Sequence, residues 1–172
     1  IHHEPWRAEV LINLAQVDSA YFTQILDAAR AIQSMYHRAR VLSALAQVDS
    51  AYIAETLDVA RAIQGEDYRA GVLSDLSEFA PDAFLSQIYS AIFTITHIPI
   101  RAKNLSSYLP RLPLTTLPYA DWQAHLHLLA HRKRSDLMED LVILYPAVCH
   151  LGGAGAMGGI VTEMKRVCAQ WP

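Results

Sequence analysis

Three glycines, Gly153, Gly155 and Gly158, are spaced as GxGxxG, the pattern that lets backbone N–H groups approach a dinucleotide pyrophosphate. That chemistry needs a strand before the first glycine and an acidic residue about 20 positions further on. Neither is visible in the sequence, so the glycines read as a loop between two helices. No GxxxxGK[ST] occurs, so no phosphate-cradling loop of that type is present and ATP hydrolysis by this chain alone is not expected. His127 and His131 fall at i and i+4 on one predicted helix, a spacing that can hold zinc. The residues between them are Leu128, Leu129 and Ala130, so the HExxH glutamate is missing, and a third ligand such as His150 would have to arrive by folding. Cys149 and Cys168 are too few for a disulfide framework and lack CxxC spacing, which fits a reduced, cytoplasmic protein. The serines and carboxylates form no nucleophile elbow or acid–base pair. No catalytic residue, cofactor or metal is expected.

A second constellation is a charged ladder: Arg7, Arg38 and Arg69, Asp27 and Asp58, Arg30 and Arg61. Such a ladder would suit the grip on an extended ligand, yet its recurrence has a structural origin. RAEVLINLAQVDSAYFTQILDAARAIQ, from Arg7, returns at Arg38 as RARVLSALAQVDSAYIAETLDVARAIQ and more weakly at Arg69, so the sequence repeats with a period of 31. About two thirds of the positions in the first two copies are identical, and self-similarity at this period marks stacked supersecondary units. Stacking alone sets equivalent charges side by side, and Asp27–Arg30 and Asp58–Arg61 are i, i+3 pairs within one helix.

The elements that would carry these side chains follow from apolar spacing. In the first copy Val10, Leu11, Leu14 and Val17 form one helical stripe, and Phe22, Ile25, Leu26, Ala29 and Ile32 form another. Asp18-Ser19, repeated as Asp49-Ser50, supplies acceptors for the free N–H groups that open a second helix. Each unit is therefore a helix, a tight turn and a helix, with Gln33–Tyr36 and Gln64–Asp67 as turns between units. A pair of helices this short hides its apolar stripes only by stacking on the next pair. Alanines in register (Ala8/Ala39/Ala70, Ala15/Ala46, Ala29/Ala60/Ala91) allow close approach.

A fourth unit begins after Pro99, with Arg101 at a spacing of 32 rather than 31, and its second helix is placed at about Leu117 to His131. Beyond Ser135 the pattern stops. Ser135-Asp136 caps a helix predicted to run to about His150, Gly152-Gly153 ends it, and a last helix spans about Met157 to Ala169. The expected fold is all-α: a right-handed α-solenoid of about four helical hairpins, TPR/HEAT-like in kind, with a non-repeating C-terminal helical cap. The predicted boundaries are 1–134 for the repeats (about 5–35, 36–66, 67–98 and 99–134) and 135–172 for the cap. TPR, ankyrin and HEAT periods of about 34, about 33 and about 40 or more residues fit less well.

With 52% hydrophobic and 18% charged residues the chain can bury an ordinary core. A net charge of -3 argues against nucleic acid or an anionic membrane as partner. The one basic cluster, His131-Arg132-Lys133-Arg134, complements the negative end of a helix dipole. The longest uncharged stretch, Ala83 to Ile100, carries too many polar residues and a proline to read as a membrane span. The chain opens at Ile1 rather than Met and enters the repeat almost at once, which reads as an excised fragment. An RNA-reading repeat would need basic and stacking side chains recurring along one groove; Tyr21 and Tyr52 recur, but among acidic neighbours.

The wording RAxxLxxLAxxD followed by LDxARAI resembles the short helical repeats of bacterial STAND-type signalling ATPases, the NACHT-like and NB-ARC-like relatives of immune receptors. The stretch LLAHRKRSDLMEDLVILYPAVCHLGG and the closing VCAQWP resemble the end of many such proteins, with AGAMGG at Ala154 to Gly159 as a departure. The resemblance implies a C-terminal sensor that restrains or triggers a nucleotide-switched ATPase and binds a protein or another intracellular trigger. A free-standing protein–protein interaction scaffold is the alternative. Partner contact is expected where the units differ on the outer side of the first helices: Glu9, Asn13, Arg40, Ser43 and Asp75.

Overall fold

The computed structural model describes residues 3–17, 19–108, 111, 119–129 and 133–170, and among them every regular element is helical. The helices α1 (Glu4–Val17) and α2 (Phe22–Arg30) form a first pair, α3 (Met35–Val48) and α4 (Ile53–Arg61) a second, and α5 (Glu66–Phe79) and α6 (Asp82–Phe93) a third. They are followed by α7 (Ile98–Tyr108), α8 (Tyr119–Leu129), α9 (Arg134–Ile143), α10 (Tyr145–Gly152) and α11 (Ala156–Gln170). No helix among the described residues is long and apolar enough to cross a membrane.

The first helices pack on one another in series, α1 on α3, α3 on α5 and α5 on α7, while α2 and α4 each bridge to the first helix of the following pair. Close approach is possible because Ala8, Ala39, Ala70 and Ala102 sit at the contacts, all buried. The step from Ala70 to Ala102 carries the same one-position offset as the step from Arg69 to Arg101. Around these alanines the larger side chains interlock: Val41, Leu42 and Leu45 of α3 share a cluster with Ala8, Ala15, Ile25 and Ala29 of the first pair. Leu73 and Leu76 of α5 share another with Ala39, Ala46, Leu57 and Ala60 of the second.

The recurring arginines serve the backbone. Arg38 donates to the Ile32 carbonyl at 3.0 and 2.6 Å, and Arg69 to the Ile63 carbonyl at 3.0 Å. Each satisfies an oxygen that the end of the preceding helix leaves unpaired. Arg30 departs from the expected pairing with Asp27: it reaches the next pair and forms a bidentate bridge to Glu55, both bonds 2.8 Å, because an extended guanidinium fork matches a carboxylate better than a short aspartate one turn away. Asp58–Arg61 does pair within its helix, at 3.2 Å.

Carboxylates tie successive units. Glu4 accepts from the N–H groups of Gln33 and Ser34 at 2.8 and 3.0 Å, at the entry to α3. Glu66 accepts from the N–H groups of Thr96 and His97 at 2.7 and 2.8 Å, and from the Thr96 hydroxyl, at the entry to α7. The Thr96 backbone N–H, then its hydroxyl, then the His97 N–H hold the Glu66 pKa down from 4.5 to about 2.

Three local readings change. Asp49 caps a short 3-10 turn, Ser50–Tyr52, by accepting from Ala51 N–H at 2.9 Å, and α4 begins only after it; Asp18 lies outside the described residues. The turns between units are shorter than expected, since α3 starts at Met35 behind its Ser34 cap and α5 at Glu66. The helix expected from Ser135 to His150 is two helices that break at Leu144. Pro146 lacks the N–H that a continuous helix would direct to Val142. Gly153 closes α10 with φ 74°, a left-handed conformation that a side chain would strain. Trp122, Leu129, Leu144, Ala147 and Val148 make a separate cluster in this C-terminal part.

Two outcomes are expected. Leu14, Leu45 and Leu76 occupy one repeat position but are 43%, 0% and 0% exposed, so Leu45→Ala should cost about 2–5 kcal/mol in chemical denaturation and Leu14→Ala less than about 1 kcal/mol. Glu66→Gln should lower the melting temperature at neutral pH. Because folding lowers this pKa, its contribution is complete above 4.5 and disappears as pH falls towards about 2, so melting curves of the two proteins should converge there.

Candidate partner-binding surface

The polar residues of the first helices form a row because they recur at i, i+3 or i+4, and i+7: Glu9, Asn13 and Gln16 on α1, Arg40, Ser43 and Gln47 on α3, Asp75 and Glu78 on α5. Glu9 and Asn13 are exposed on α1, and Glu9 Oε2 lies 3.8 Å from Arg40 Nη2. The Arg40 guanidinium also faces the Tyr36 ring, 6.0 Å from its centroid. Arg40, Ser43 and Asp75, three of the five residues expected to meet a partner, line one cleft of about 200 Å³ together with Ile12, Gln16, Ala44, Gln47, Glu78 and Phe79; Ser43, expected on the outer side, is instead buried between the packed helices, 8% exposed.

Asp75 also borders a second cleft of about 470 Å³ between α5 and α7, where Asp67, Ser74, Lys103 and Asn104 supply the polar groups. Two concavities thus meet at one carboxylate. Its pKa is raised, chiefly by partial loss of water and next by the negative charge of Glu78, with Arg40 opposing. A carboxylate placed where ionisation is disfavoured lowers stability, a local conflict of the kind found at functional and at strained sites alike. Asn104 adds a second instance: it is buried, its Nδ2 donates to the Ile100 carbonyl at 3.1 Å, and its Oδ1 has no hydrogen-bond partner. The bond to Ile100 fixes which way the amide points.

Gln16, Gln47 and Glu78 belong to this row, yet selecting positions that differ between units discards the first two because they are identical. The signal that finds them is the i+7 step from Glu9 and Arg40. Lys103 is found by carrying the row to α7 with the same offset that separates Arg101 from Arg69, whereas Asn104 falls at the position of the buried Val41 and Val72 and is not marked by the row.

The remaining candidates are dispersed. His127 and His150 are exposed on α8 and α10, while His131 lies outside the described residues. Among the described residues no group of three or more His, Cys, Asp or Glu side chains is arranged to hold a metal ion. Gly153, Gly155 and Gly158 sit between α10 and the first turn of α11, with no strand before them. Cys149 and Cys168, on α10 and α11, form no disulfide. A more capacious cleft of about 670 Å³ separates α9 from α11, but its wall is almost wholly apolar, including Leu137, Ile160, Met164 and Val167. Among the described residues that line it Glu163 is the one charged group, so it would select shape over chemistry.

Since folding raises the Asp75 pKa, the folded chain favours the protonated acid and ionisation at neutral pH weakens it. Asp75→Asn is expected to raise the melting temperature at pH 7 and to leave it unchanged at pH 3, where both side chains are neutral. No family model, curated protein or solved structure matches this chain.

Proposed function

We propose that this chain is a right-handed α-solenoid of about four helical hairpins closed by a cap at 135–172, and that the polar row of its first helices recognises a protein partner. We infer further that it is the sensor region of a STAND-type signalling ATPase, the family its repeat wording and C-terminal segment resemble. The observation that carries the binding reading is Asp75: a partly desolvated carboxylate beside Glu78, common to two polar clefts that span four helices. A partner bringing hydrogen-bond donors or positive charge there relieves the cost of ionisation and gains differential binding energy. The resemblance supports the switching role. A trigger that binds better in one arrangement of sensor and ATPase shifts the off–on equilibrium only by that difference in affinity. The chain itself is read as non-enzymatic and free of cofactor.

The test uses the complete parent protein. Asn13→Tyr and Asp75→Ala, both at exposed positions, should reduce trigger-dependent nucleotide turnover by about tenfold or more while basal turnover is kept and the melting temperature does not fall. A contact worth about 1.4 kcal/mol suffices for that factor. A parent without a nucleotide-binding module would refute the sensor reading and leave the scaffold.

A further inference from the structure

The first pair of helices exposes, on its leading side, the side chains that the next two units bury. Val10 is 39% exposed where Val41 and Val72 are 0% and 1%, and Leu14 is 43% exposed where Leu45 and Leu76 are 0%. What covers the buried members is known from within the molecule. Val41 and Leu45 are met by Ala8, Ala15, Ile25 and Ala29 of the preceding pair. Tyr52 receives the Phe22 ring edge-on, with centroids 6.2 Å apart, while its counterpart Tyr21 is 49% exposed. Glu55 receives Arg30, and its counterpart one repeat earlier is Gln24, a neutral acceptor that an arginine can also reach.

We propose that the face formed by Val10, Leu14, Tyr21 and Gln24 docks a further helical hairpin of this same repeat class, held in series before α1. The occupant is specified by equivalence: small residues at the Ala8 and Ala15 positions, an aromatic at the Phe22 position for Tyr21, and an arginine at the Arg30 position for Gln24. A two-fold contact with a second copy fits less well. It would oppose Val10 and Leu14 to their own kind and would bring neither a Phe22-type ring to Tyr21 nor an Arg30-type side chain to Gln24, because those residues lie on the trailing side of the pair. The inference rests on the serial stacking proposed above and is independent of the sensor role and of the polar row.

The register of the chain supplies the probe. Glu66, which follows Gly65, is equivalent to Glu4, so residues Met35–Gly65 can be duplicated directly before Glu4 without a linker, with Ile53→Phe in the added copy to place an aromatic at the Phe22 position and Arg61 already standing at the Arg30 position. In the unextended chain Leu14→Ala should shift the melting temperature little. In the extended chain the same substitution should lower it by at least about 4 °C, and amide exchange in α1 should slow. Trp6, 60% exposed, should change its emission as the duplicated Tyr36 arrives beside it, as Tyr36 meets Tyr68 at 4.6 Å between centroids. An added segment that stays protease-sensitive, with Leu14→Ala silent and α1 exchange unchanged, would overturn the proposal. So would sedimentation of the unextended chain as a dimer that Leu14→Asp dissociates, since the occupant would then be a second copy.

Discussion

Alanine at the crossing of neighbouring first helices is the constraint on which the remaining structure depends. Ala8, Ala39, Ala70 and Ala102 are all buried, and each sets how near the next helix can come. A larger side chain at any of them would separate α1 from α3 or α3 from α5 and open the space that Leu42, Leu45, Leu73 and Leu76 now fill. Hydrogen bonds then fix the arrangement that packing brings about. Arg38 and Arg69 occupy carbonyls at the ends of the preceding second helices, and Glu4 and Glu66 occupy N–H groups at the entry to α3 and α7. The charged ladder is therefore mostly a device for joining units, because a stack of short helices has many termini and each terminus leaves backbone groups to be satisfied.

The polar row is the other consequence of close stacking. When first helices lie side by side, positions one and two turns apart on each align across the stack, so Gln16, Gln47 and Glu78 become neighbours in space although a full repeat separates each from the next in sequence. Asp75 inherits an awkward environment from this alignment. It loses water to the cleft and faces Glu78, with Arg40 as partial compensation. Arg40 is itself shared with Glu9. A surface of this kind holds incompletely satisfied charge, which is what a recognition site needs, and the apolar cleft beside α11 does not have it.

Much of this is legible in the amino-acid sequence. The repeat period, the two helical stripes per unit, the small residues in register and the offset at Arg101 rest on local spacing, which survives folding unchanged. Where spacing misleads, the outcome depends on neighbours or on a single backbone group. Arg30 looks like a partner for Asp27 until Glu55 arrives from the next unit. One helix from Ser135 to His150 is plausible by periodicity, and Pro146 breaks it by removing one donor. Val10 and Leu14 look as buried as Val41 and Leu45, because burial in a stack belongs to the contact between units and is invisible in any one of them. The candidate surface is half visible: Arg40, Ser43 and Asp75 stand out as variable positions, whereas Gln16 and Gln47 are identical and Asn104 declares itself only through an unpaired oxygen.

The central claim is that successive hairpins lie against one another in register. Nitroxides at Gln16 and Gln47, both exposed and equivalent in successive units, with Cys149 and Cys168 replaced by serine, test it most directly by continuous-wave EPR. Packed helices stand about 8–10 Å apart, so the doubly labelled protein should show strong dipolar broadening relative to the sum of the singly labelled spectra. A doubly labelled spectrum identical to that sum would contradict the account.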